Sequence, residues 1–266
     1  MTTELGVLER ILAVKREEVT RLKSREAPAA FKRRALEAPG PRDFLAALKN
    51  HPRIPVIAEI KRASPSAGAI RESVDPAALA LDYQAGGAAA LSVLTDKTFF
   101  SGSLQDLALA REATDLPVLR KDFIIDRLQI YEARSAGADA VLLIAAALDR
   151  ERLGDLYLEA LELGLTPLIE VHDQDELPPV LDLKPALIGI NNRDLKTMKV
   201  DINTSLELRR MIPAEILTVA ESGVSSPAEV LSLRRGGLDA FLIGSALMRA
   251  PDPRAALASL CRAEAT

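Results

Sequence analysis

The chain has 266 residues, of which 48% are hydrophobic and 27% charged, a composition typical of a folded globular protein and not of a disordered or collagen-like one. The net charge is −4 and charges of both signs are interspersed, so neither nucleic acid nor an anionic membrane is a predicted partner. The single cysteine, Cys261, excludes an internal disulfide and is expected to pack at a helix end. Because no signal-peptide stretch and no run of about 18 apolar residues occurs, we expect a cytoplasmic protein.

An amphipathic helix is predicted at the start of the chain. Its apolar stripe, with one polar member, consists of Leu8, Ile11, Leu12, Lys15, Val19 and Leu22. Pro28 and then Pro39-Gly40-Pro41 interrupt the chain before a short second helix around Asp43 to Leu48. Residues 1–48 are therefore expected to form a helical extension, packed on residues 49–266 within one domain.

Short apolar runs recur after this extension, each the core of a predicted strand. They are Val56–Ile60, Ala90–Leu94, Val118–Leu119, Ala140–Ile144, Thr166–Val171, Leu187–Ile190, Leu217–Ala220 and Ala240–Ile243. Their starts lie from 21 residues (166 to 187) to 34 residues (56 to 90) apart, the size of a βα unit. Between them lie helical patterns, for example at Pro76–Gln84, Leu104–Glu112, Leu128–Ser135 and Arg152–Leu163. Several of these end in glycine, at Gly86-Gly87, Gly137, Gly164 and Gly236-Gly237.

Eight consecutive βα units favour a closed α/β fold, the (β/α)8 or TIM barrel. The alternative is a doubly wound sheet, which usually has fewer strands and a Gly-rich phosphate motif after the first strand. No GxGxxG motif follows the first run.

Polar residues at the carboxyl end of the first strand indicate where the chemistry lies, because barrel active sites are built at that end. Side chains alternate between faces, so Ile57, Glu59 and Lys61 share one face, which must point into the barrel if the other face meets the helices. The alternative interpretation of Glu59 and Lys61 is a structural ion pair, although such a pair adds little stability when buried.

Two further strands supply a lysine and a carboxylate. Lys121 shares the face of Leu119, and Glu170 shares the face of Leu168. A lysine and a glutamate that converge in a cup shielded from water have displaced pKa values suited to proton transfer. Electrostatic closure of the barrel mouth is the alternative for each residue taken alone.

The sixth predicted strand ends with Asn191 and Arg193. Asn191 can orient a hydroxyl or carbonyl group without a change of charge. Arg193 is equally compatible with a role in binding and with a surface ion pair to Asp194 or Asp201.

The last two strands end in AESG and IGSA, which contain Ser222, Gly223, Gly244 and Ser245. Loops after strands 7 and 8 form the usual phosphate site of this fold, where backbone amides face the anion. Ser64, in Ser64-Pro65-Ser66 after the first strand, is expected to reach the same anion, and taken alone it indicates only a turn. Simple turn formation is the alternative for the glycines.

The sequence lacks the residues that metal-dependent and nucleophile-based catalytic sites need. His51 and His172 have no cysteine or acidic cluster at metal-ligand spacing, and His172 is expected to lie behind the site or face solvent. Neither a GxSxG elbow nor a P-loop lysine is present. No metal and no cofactor are predicted.

These motifs together resemble those of the indole-3-glycerol phosphate synthase family, from the first helix to the end of the last βα unit. The resemblance rests on ILAVKREEV (11–19), EIKRASPSAG (59–68), FFSGS (99–103), LRKDF (119–123), LLI (142–144), LIEVHD (168–173), GINNRDL (189–195), AESG (220–223) and IGSALM (243–248). It implies a carboxy-lyase of tryptophan biosynthesis, acting on the sugar phosphate 1-(2-carboxyphenylamino)-1-deoxyribulose 5-phosphate, with the N-terminal extension covering part of the site.

The resemblance also implies roles for individual residues. Lys121 is similar to the general acid, Lys61 to the residue that pairs with the substrate carboxylate and assists dehydration, and Glu170 to the carboxylate that stabilises charge or takes up a proton. The remaining catalytic positions are Glu59, Asn191 and Ser222. The substrate-binding positions are Ser64, Phe100, Phe123, Leu142, Arg193, Gly223, Gly244 and Ser245.

Three rival functions stay open at this point. One is another sugar-phosphate barrel such as an isomerase, the second an aldolase that forms a Schiff base on Lys121, and the third an inactive scaffold. The expected oligomeric state is a monomer or weak homodimer.

Overall fold

A computed structural model describes residues 6–71 and 73–262. Its centre is a closed barrel of eight parallel strands, each hydrogen-bonded to the next, with the eighth returning to the first. The strands are β1 (Val56–Ile60), β2 (Ala90–Leu94), β3 (Val118–Lys121), β4 (Ala140–Ile144), β5 (Thr166–Val171), β6 (Leu187–Asn191), β7 (Leu217–Glu221) and β8 (Ala240–Ile243). The predicted (β/α)8 barrel is therefore confirmed, and the doubly wound alternative is wrong.

Helices precede the barrel and connect its strands. They are α1 (Val7–Arg25), α2 (Pro28–Glu37), α3 (Phe44–Lys49), α4 (Pro76–Gly86), α5 (Lys97–Phe100), α6 (Leu104–Ala113), α7 (Arg127–Ser135), α8 (Arg150–Glu162), α9 (Leu177–Leu181), α10 (Asn203–Arg209), α11 (Pro227–Arg235), α12 (Ser245–Arg249) and α13 (Pro253–Cys261). Two residues of the loop after β1, Ala63–Ser64, pair with Gly68–Ala69 in a small antiparallel hairpin. Within the described ranges, no helix is long and apolar enough to cross a membrane.

Helix α2 differs from the prediction, which treated Pro28 only as an interruption. Pro28 is the first residue of the helix, where its missing N–H costs nothing and its fixed φ suits helical geometry. Phe31 and Ala35 are buried on the side that packs against α7. The extension thus contains one more helix than its prolines suggest.

The apolar residues of the strands form two separate layers, as the alternation of side chains predicts. Val56, Ala58 and Ile60 join the layer between strands and helices. Ile57 joins the layer inside the barrel, where Phe44 and Leu48 of α3 also pack and close the amino-terminal end. The opposite end is left open for a site.

The ends of the connecting helices also agree with the sequence. Four of the predicted terminating glycines, Gly87, Gly137, Gly164 and Gly237, have positive φ, the conformation in which glycine ends a helix. Cys261 is buried at the end of α13, with its Sγ 3.2 Å from Gly87 O. Burial raises the pKa of this thiol to about 11, so Cys261 has the packing role expected of it.

Candidate active site

A cavity of about 430 Å³ opens at the carboxyl ends of the strands. All fourteen site residues predicted from the sequence line it: Glu59, Lys61, Ser64, Phe100, Lys121, Phe123, Leu142, Glu170, Asn191, Arg193, Ser222, Gly223, Gly244 and Ser245. The structure thus brings the predicted residues together, while their individual roles stay predictions.

Lys121 lies at the centre of the cavity floor between two carboxyl groups. Its Nζ is 2.6 Å from Glu170 Oε2 and 2.6 Å from Glu221 Oε2. Burial alone would lower the pKa of this ammonium group, but the Glu170 and Glu221 carboxyl groups hold the pKa above its ordinary value. Lys121 is therefore protonated at neutral pH.

The two glutamates that share Lys121 differ in their pKa values. Burial raises the pKa of Glu221 to about 8, an effect that Lys121 opposes and the neighbouring Glu170 reinforces. Burial acts in the same direction on Glu170, but Lys121 and His172 bring the pKa of this carboxyl well below its ordinary value. Like charges held this close cannot both ionise freely, so the pKa values of the two carboxyl groups separate, with that of Glu221 the higher.

Glu221 was missed in the sequence, although it belongs to the AESG motif. It ends β7 on the same face as Val219, which packs inside the barrel, so side-chain alternation was a usable signal. Its Oε1 occupies the space that a Cβ at Gly189 would need. A glycine on the neighbouring strand β6 therefore makes room for the buried carboxyl group.

Glu59 and Lys61 project into the cavity as alternation predicts. Lys61 Nζ is 2.6 Å from Glu59 Oε1, and the Glu59 side chain lies where a Cβ at Gly244 would clash. The ion pair considered in the sequence therefore exists, but it faces the cavity and is available to a ligand.

Asn191 and Arg193 lie at the rim beside each other. Asn191 Oδ1 accepts a hydrogen bond from Arg193 N at 3.0 Å, and Arg193 Nη1 donates to Met198 O at 2.9 Å. Among the described side chains, the Arg193 guanidinium group thus bonds to a backbone carbonyl and not to Asp194 or Asp201, and burial lowers its pKa. The structure thus favours the cavity over a surface ion pair for this residue.

The loops after β7 and β8 form one side of the cavity. Ser222 and Gly223 both have positive φ, 62° and 80°, an uncommon conformation for serine that places successive residues in a tight concave turn. Asn192 supports this turn because its Nδ2 donates to Ser222 O at 2.9 Å. Ser245 begins α12 beside this turn and lines the same cavity.

Two aromatic residues line the opposite side, on the loops that follow β2 and β3. The rings of Phe100 and Phe123 lie 6.1 Å apart between centroids. Asp96 fixes the first of these loops, since its Oδ1 accepts hydrogen bonds from Phe99 N and Phe100 N. This side of the cavity is suited to a flat apolar group.

Of the two positions expected for His172, the structure shows the one behind Glu170. The side chain does not face solvent. Its side chain is 7% exposed, with Nε2 at 3.2 Å from Glu170 Oε1 and Nδ1 at 3.4 Å from Glu176 Oε2. The contact between His172 and Glu176 could not be predicted from the sequence, because the two residues are four positions apart in a loop whose conformation the sequence pattern does not specify.

Helix α1 covers the cavity mouth with Val7, Leu8 and Ile11. On its next turn lies Lys15, which is 2% exposed, although the sequence suggested only that its stem packs against apolar neighbours. The predicted covering by the extension therefore has a structural basis within residues 7–11.

Lys15 binds the barrel through a buried group of acidic side chains. Its Nζ lies 2.8 Å from Asp96 and 2.9 Å from Asp122, which are both buried, and 2.9 Å from the partly exposed Glu18 of α1 itself. Burial alone would lower the pKa of Lys15, but Asp122 and Asp96 hold it above its ordinary value. Lys15 therefore joins α1 to the two loops that carry Phe100 and Phe123, the second of which begins directly after Lys121.

The comparison with known families agrees with this geometry, since the indole-3-glycerol phosphate synthase model matches residues 8–260. The chain belongs to the indole-3-glycerol phosphate synthase family. Curated relatives of that name share about half of its residues over nearly their whole length. They include proteins of Azoarcus sp. (strain BH72), 49% identical over 259 residues, Burkholderia ambifaria (strain MC40-6), 50% over 257, and Dechloromonas aromatica (strain RCB), 48% over 257. Each alignment covers 96% of this chain and 98% of the relative.

We expect Lys15→Met to destabilise the protein by about 3–5 kcal/mol, because it leaves Asp96 buried without its cation and leaves Asp122 with Arg120 alone. The measurement is urea unfolding followed by circular dichroism. Lys23→Met is the matched control, since Lys23 lies on the same helix and pairs with Asp126 while 55% exposed, and its loss should cost less than about 1 kcal/mol. Equal effects of the two substitutions would show that the buried cluster does not fasten α1.

Proposed function

We propose that this protein is an indole-3-glycerol phosphate synthase, converting 1-(2-carboxyphenylamino)-1-deoxyribulose 5-phosphate into indole-3-glycerol phosphate, carbon dioxide and water. The observation that carries the proposal is the position of Lys121 between Glu170 and Glu221 in a cavity with apolar and concave polar sides. Family membership and the names of the relatives support the same reaction.

The two sides of the cavity suit the two ends of this substrate. The phosphate belongs at the concave turn that contains Gly223, beside Gly244, Ser245 and Ser64, where backbone amides and hydroxyl groups stabilise an anion. The anthranilate ring belongs between Phe100, Phe123 and Leu142. Binding at both ends holds the ring carbon and the ketone carbon within reach of each other, which lowers the entropic cost of ring closure.

Lys121 acts as general acid in the first step. The aromatic carbon that bears the carboxylate attacks the ketone carbon, forming the new carbon–carbon bond, and the ketone oxygen takes the proton of Lys121. Because the attack interrupts aromaticity and develops charge on oxygen and nitrogen, fixed donors at those atoms lower the barrier. Glu170, ionised beside Lys121, stabilises the positive charge that develops on the nitrogen.

The remaining steps restore the aromatic system. The bond to the carboxylate breaks, carbon dioxide leaves and its electron pair returns to the ring. Lys61, which first pairs with the substrate carboxylate, then protonates the departing hydroxyl group, and a carboxylate takes the proton from the adjacent carbon as water is lost. Glu59 orients Lys61, while Asn191, Arg193 and Ser222 hold the sugar chain by hydrogen bonds.

We also propose the domain organisation, the oligomeric state and the cellular location of the protein. The extension of residues 1–48 acts with residues 49–266 as one domain, because α1 covers the cavity and is fastened through Lys15. The oligomeric state proposed is a monomer or weak homodimer, which light scattering measures directly. The proposed location is the cytoplasm.

Indole fluorescence tests the reaction, since the chain contains no tryptophan and three tyrosines. With purified protein and the anilino-deoxyribulose phosphate, emission should grow for the wild type and fall at least ~100-fold for Lys121→Ala. Lys49→Ala, at an exposed position on α3 at the other end of the barrel, should retain the wild-type rate.

The possible outcomes separate the rival functions. Equal rates for wild type and Lys121→Ala would keep the reaction and transfer the acid role to Lys61. No emission from the wild type, with substrate bound, would remove the synthase function and favour a scaffold. Borohydride should trap no adduct, whereas a covalent adduct at Lys121 would indicate the Schiff-base mechanism.

The phosphate site has a separate test in Ser245→Ala. A hydrogen bond to a charged group contributes about 1.5–3 kcal/mol, so kcat/KM for the phosphorylated substrate should fall roughly tenfold or more. For the dephosphorylated substrate, wild type and variant should be equally slow. An equal loss with both substrates would place Ser245 outside the phosphate site.

A further inference from the structure

The charges of the cavity floor do not balance around Lys121 alone. Lys61 compensates Glu59 at 2.6 Å, but Lys121 is shared by Glu170 and Glu221. One buried carboxyl group therefore lacks a cation of its own. A buried pair of this kind keeps one proton between its members, and the neighbouring groups decide which member holds it.

The contacts of the two carboxyl groups are unequal. Glu170 meets Lys121 Nζ through Oε2 and His172 Nε2 through Oε1, at 2.6 and 3.2 Å. Glu221 meets Lys121 through Oε2, while its buried Oε1 has no hydrogen-bond partner among the described residues. A cation thus contacts each oxygen of Glu170, whereas only one oxygen of Glu221 has such a contact.

His172 is itself held by a second carboxylate. Glu176 Oε2 accepts a hydrogen bond from His172 N at 2.7 Å and lies 3.4 Å from the ring Nδ1. The imidazole ring is thereby fixed with Nε2 toward Glu170, in ion-pair contact although outside the angles of a good hydrogen bond. A ring between two acidic groups serves both best when both of its nitrogens carry protons.

We propose that His172, oriented by Glu176, is a positioning residue that keeps Glu170 ionised and thereby leaves the proton of the Glu170–Glu221 pair on Glu221. The inference deepens the proposed function, on which it rests, because it assigns the two protonation states that the proton transfers need. Glu170 then meets the substrate as a base and Glu221 as an acid.

The electrostatics of the neighbourhood support this assignment. Glu170 on β5 and Glu176 in the loop beyond it are the charged groups within ion-pair distance of the ring among the described residues, with Lys121 and Glu221 beyond Glu170. Burial opposes the charge on His172, but the two glutamates raise its pKa to about 10. The ring is therefore a cation at neutral pH.

Nitrogen-15 NMR tests the charge of the ring directly, because the chain has two histidines. His51, at the other end of the barrel before β1 and partly exposed, is assigned by its loss in His51→Gln. At pH 7.5 we expect both ring nitrogens of His172 to be protonated in the wild-type protein. A neutral His172 ring at that pH would overturn the proposal.

Infrared spectroscopy tests where the proton of the pair resides. The wild type should show the carbonyl stretch of a buried carboxylic acid at neutral pH, fading with a midpoint near the pKa of about 8 of Glu221. Glu221→Gln should abolish this band. His172→Gln removes a neighbouring positive charge and should shift the midpoint upward by roughly one pH unit or more.

Two further variants separate charge from packing. Glu176→Gln should shift the pH midpoint of the band in the same direction by a smaller amount, because His172 remains but is less firmly held. His51→Gln should leave the midpoint unchanged. An unchanged midpoint in a folded His172→Gln protein would overturn the proposal. If His172→Gln fails to fold, Glu176→Gln and the wild-type NMR spectrum still decide the matter.

Kinetics connect the proton to the reaction. In His172→Gln, kcat should fall while KM changes little, and the alkaline limb of the kcat profile should move together with the infrared midpoint. A loss of kcat with an unmoved limb would indicate a purely structural role and contradict the proposal. Because the NMR and infrared measurements need no substrate, a wild type that forms no indole would contradict the proposed function separately.

Discussion

Pairing of β8 with β1 is the constraint on which the rest of the molecule depends. Closure of a parallel sheet brings all eight carboxyl ends to one rim and leaves the interior accessible only to side chains of one parity. Residues far apart in the chain, such as Lys121 and Glu221, then meet within hydrogen-bond distance. The same closure excludes water beneath them, because apolar side chains fill the barrel below the polar floor, and this is why charges there have such displaced pKa values.

A large part of this arrangement could be predicted from the sequence, since it follows from local periodicity. The alternation of Ile57, Glu59 and Lys61 indicates which side chains enter the barrel, and the interior position of Ile57 agrees with it. The eight apolar runs predict the strands to within two residues at their ends. The candidate site residues follow from parity combined with the rule that barrel sites lie at the carboxyl ends.

Other features could not be predicted because they depend on distances between elements. Lys15 looks like an ordinary polar interruption of an apolar stripe until Asp96 and Asp122, more than eighty residues away, are placed beside it. His172 lies near glutamates in the sequence, but which nitrogen faces which carboxylate is set by the loop after β5. Side-chain alternation in β7 also predicts that Glu221 points into the barrel. The glycine and serine beside it indicated phosphate binding, and the glutamate of the same motif was therefore not assigned to the site.

The fastening of α1 through Lys15 also bears on how the chain folds during synthesis. The helix emerges from the ribosome well before Asp96 and Asp122, which follow Lys15 by more than eighty residues in the chain. Until then the ammonium group of Lys15 has only Glu18 nearby and remains hydrated, and α1 has no surface on which to bury Ile11 and Leu12. Docking of α1 is therefore a late event that follows synthesis of β3. A nascent chain that ends before β3 carries α1 as an undocked amphipathic helix that is free to engage chaperones.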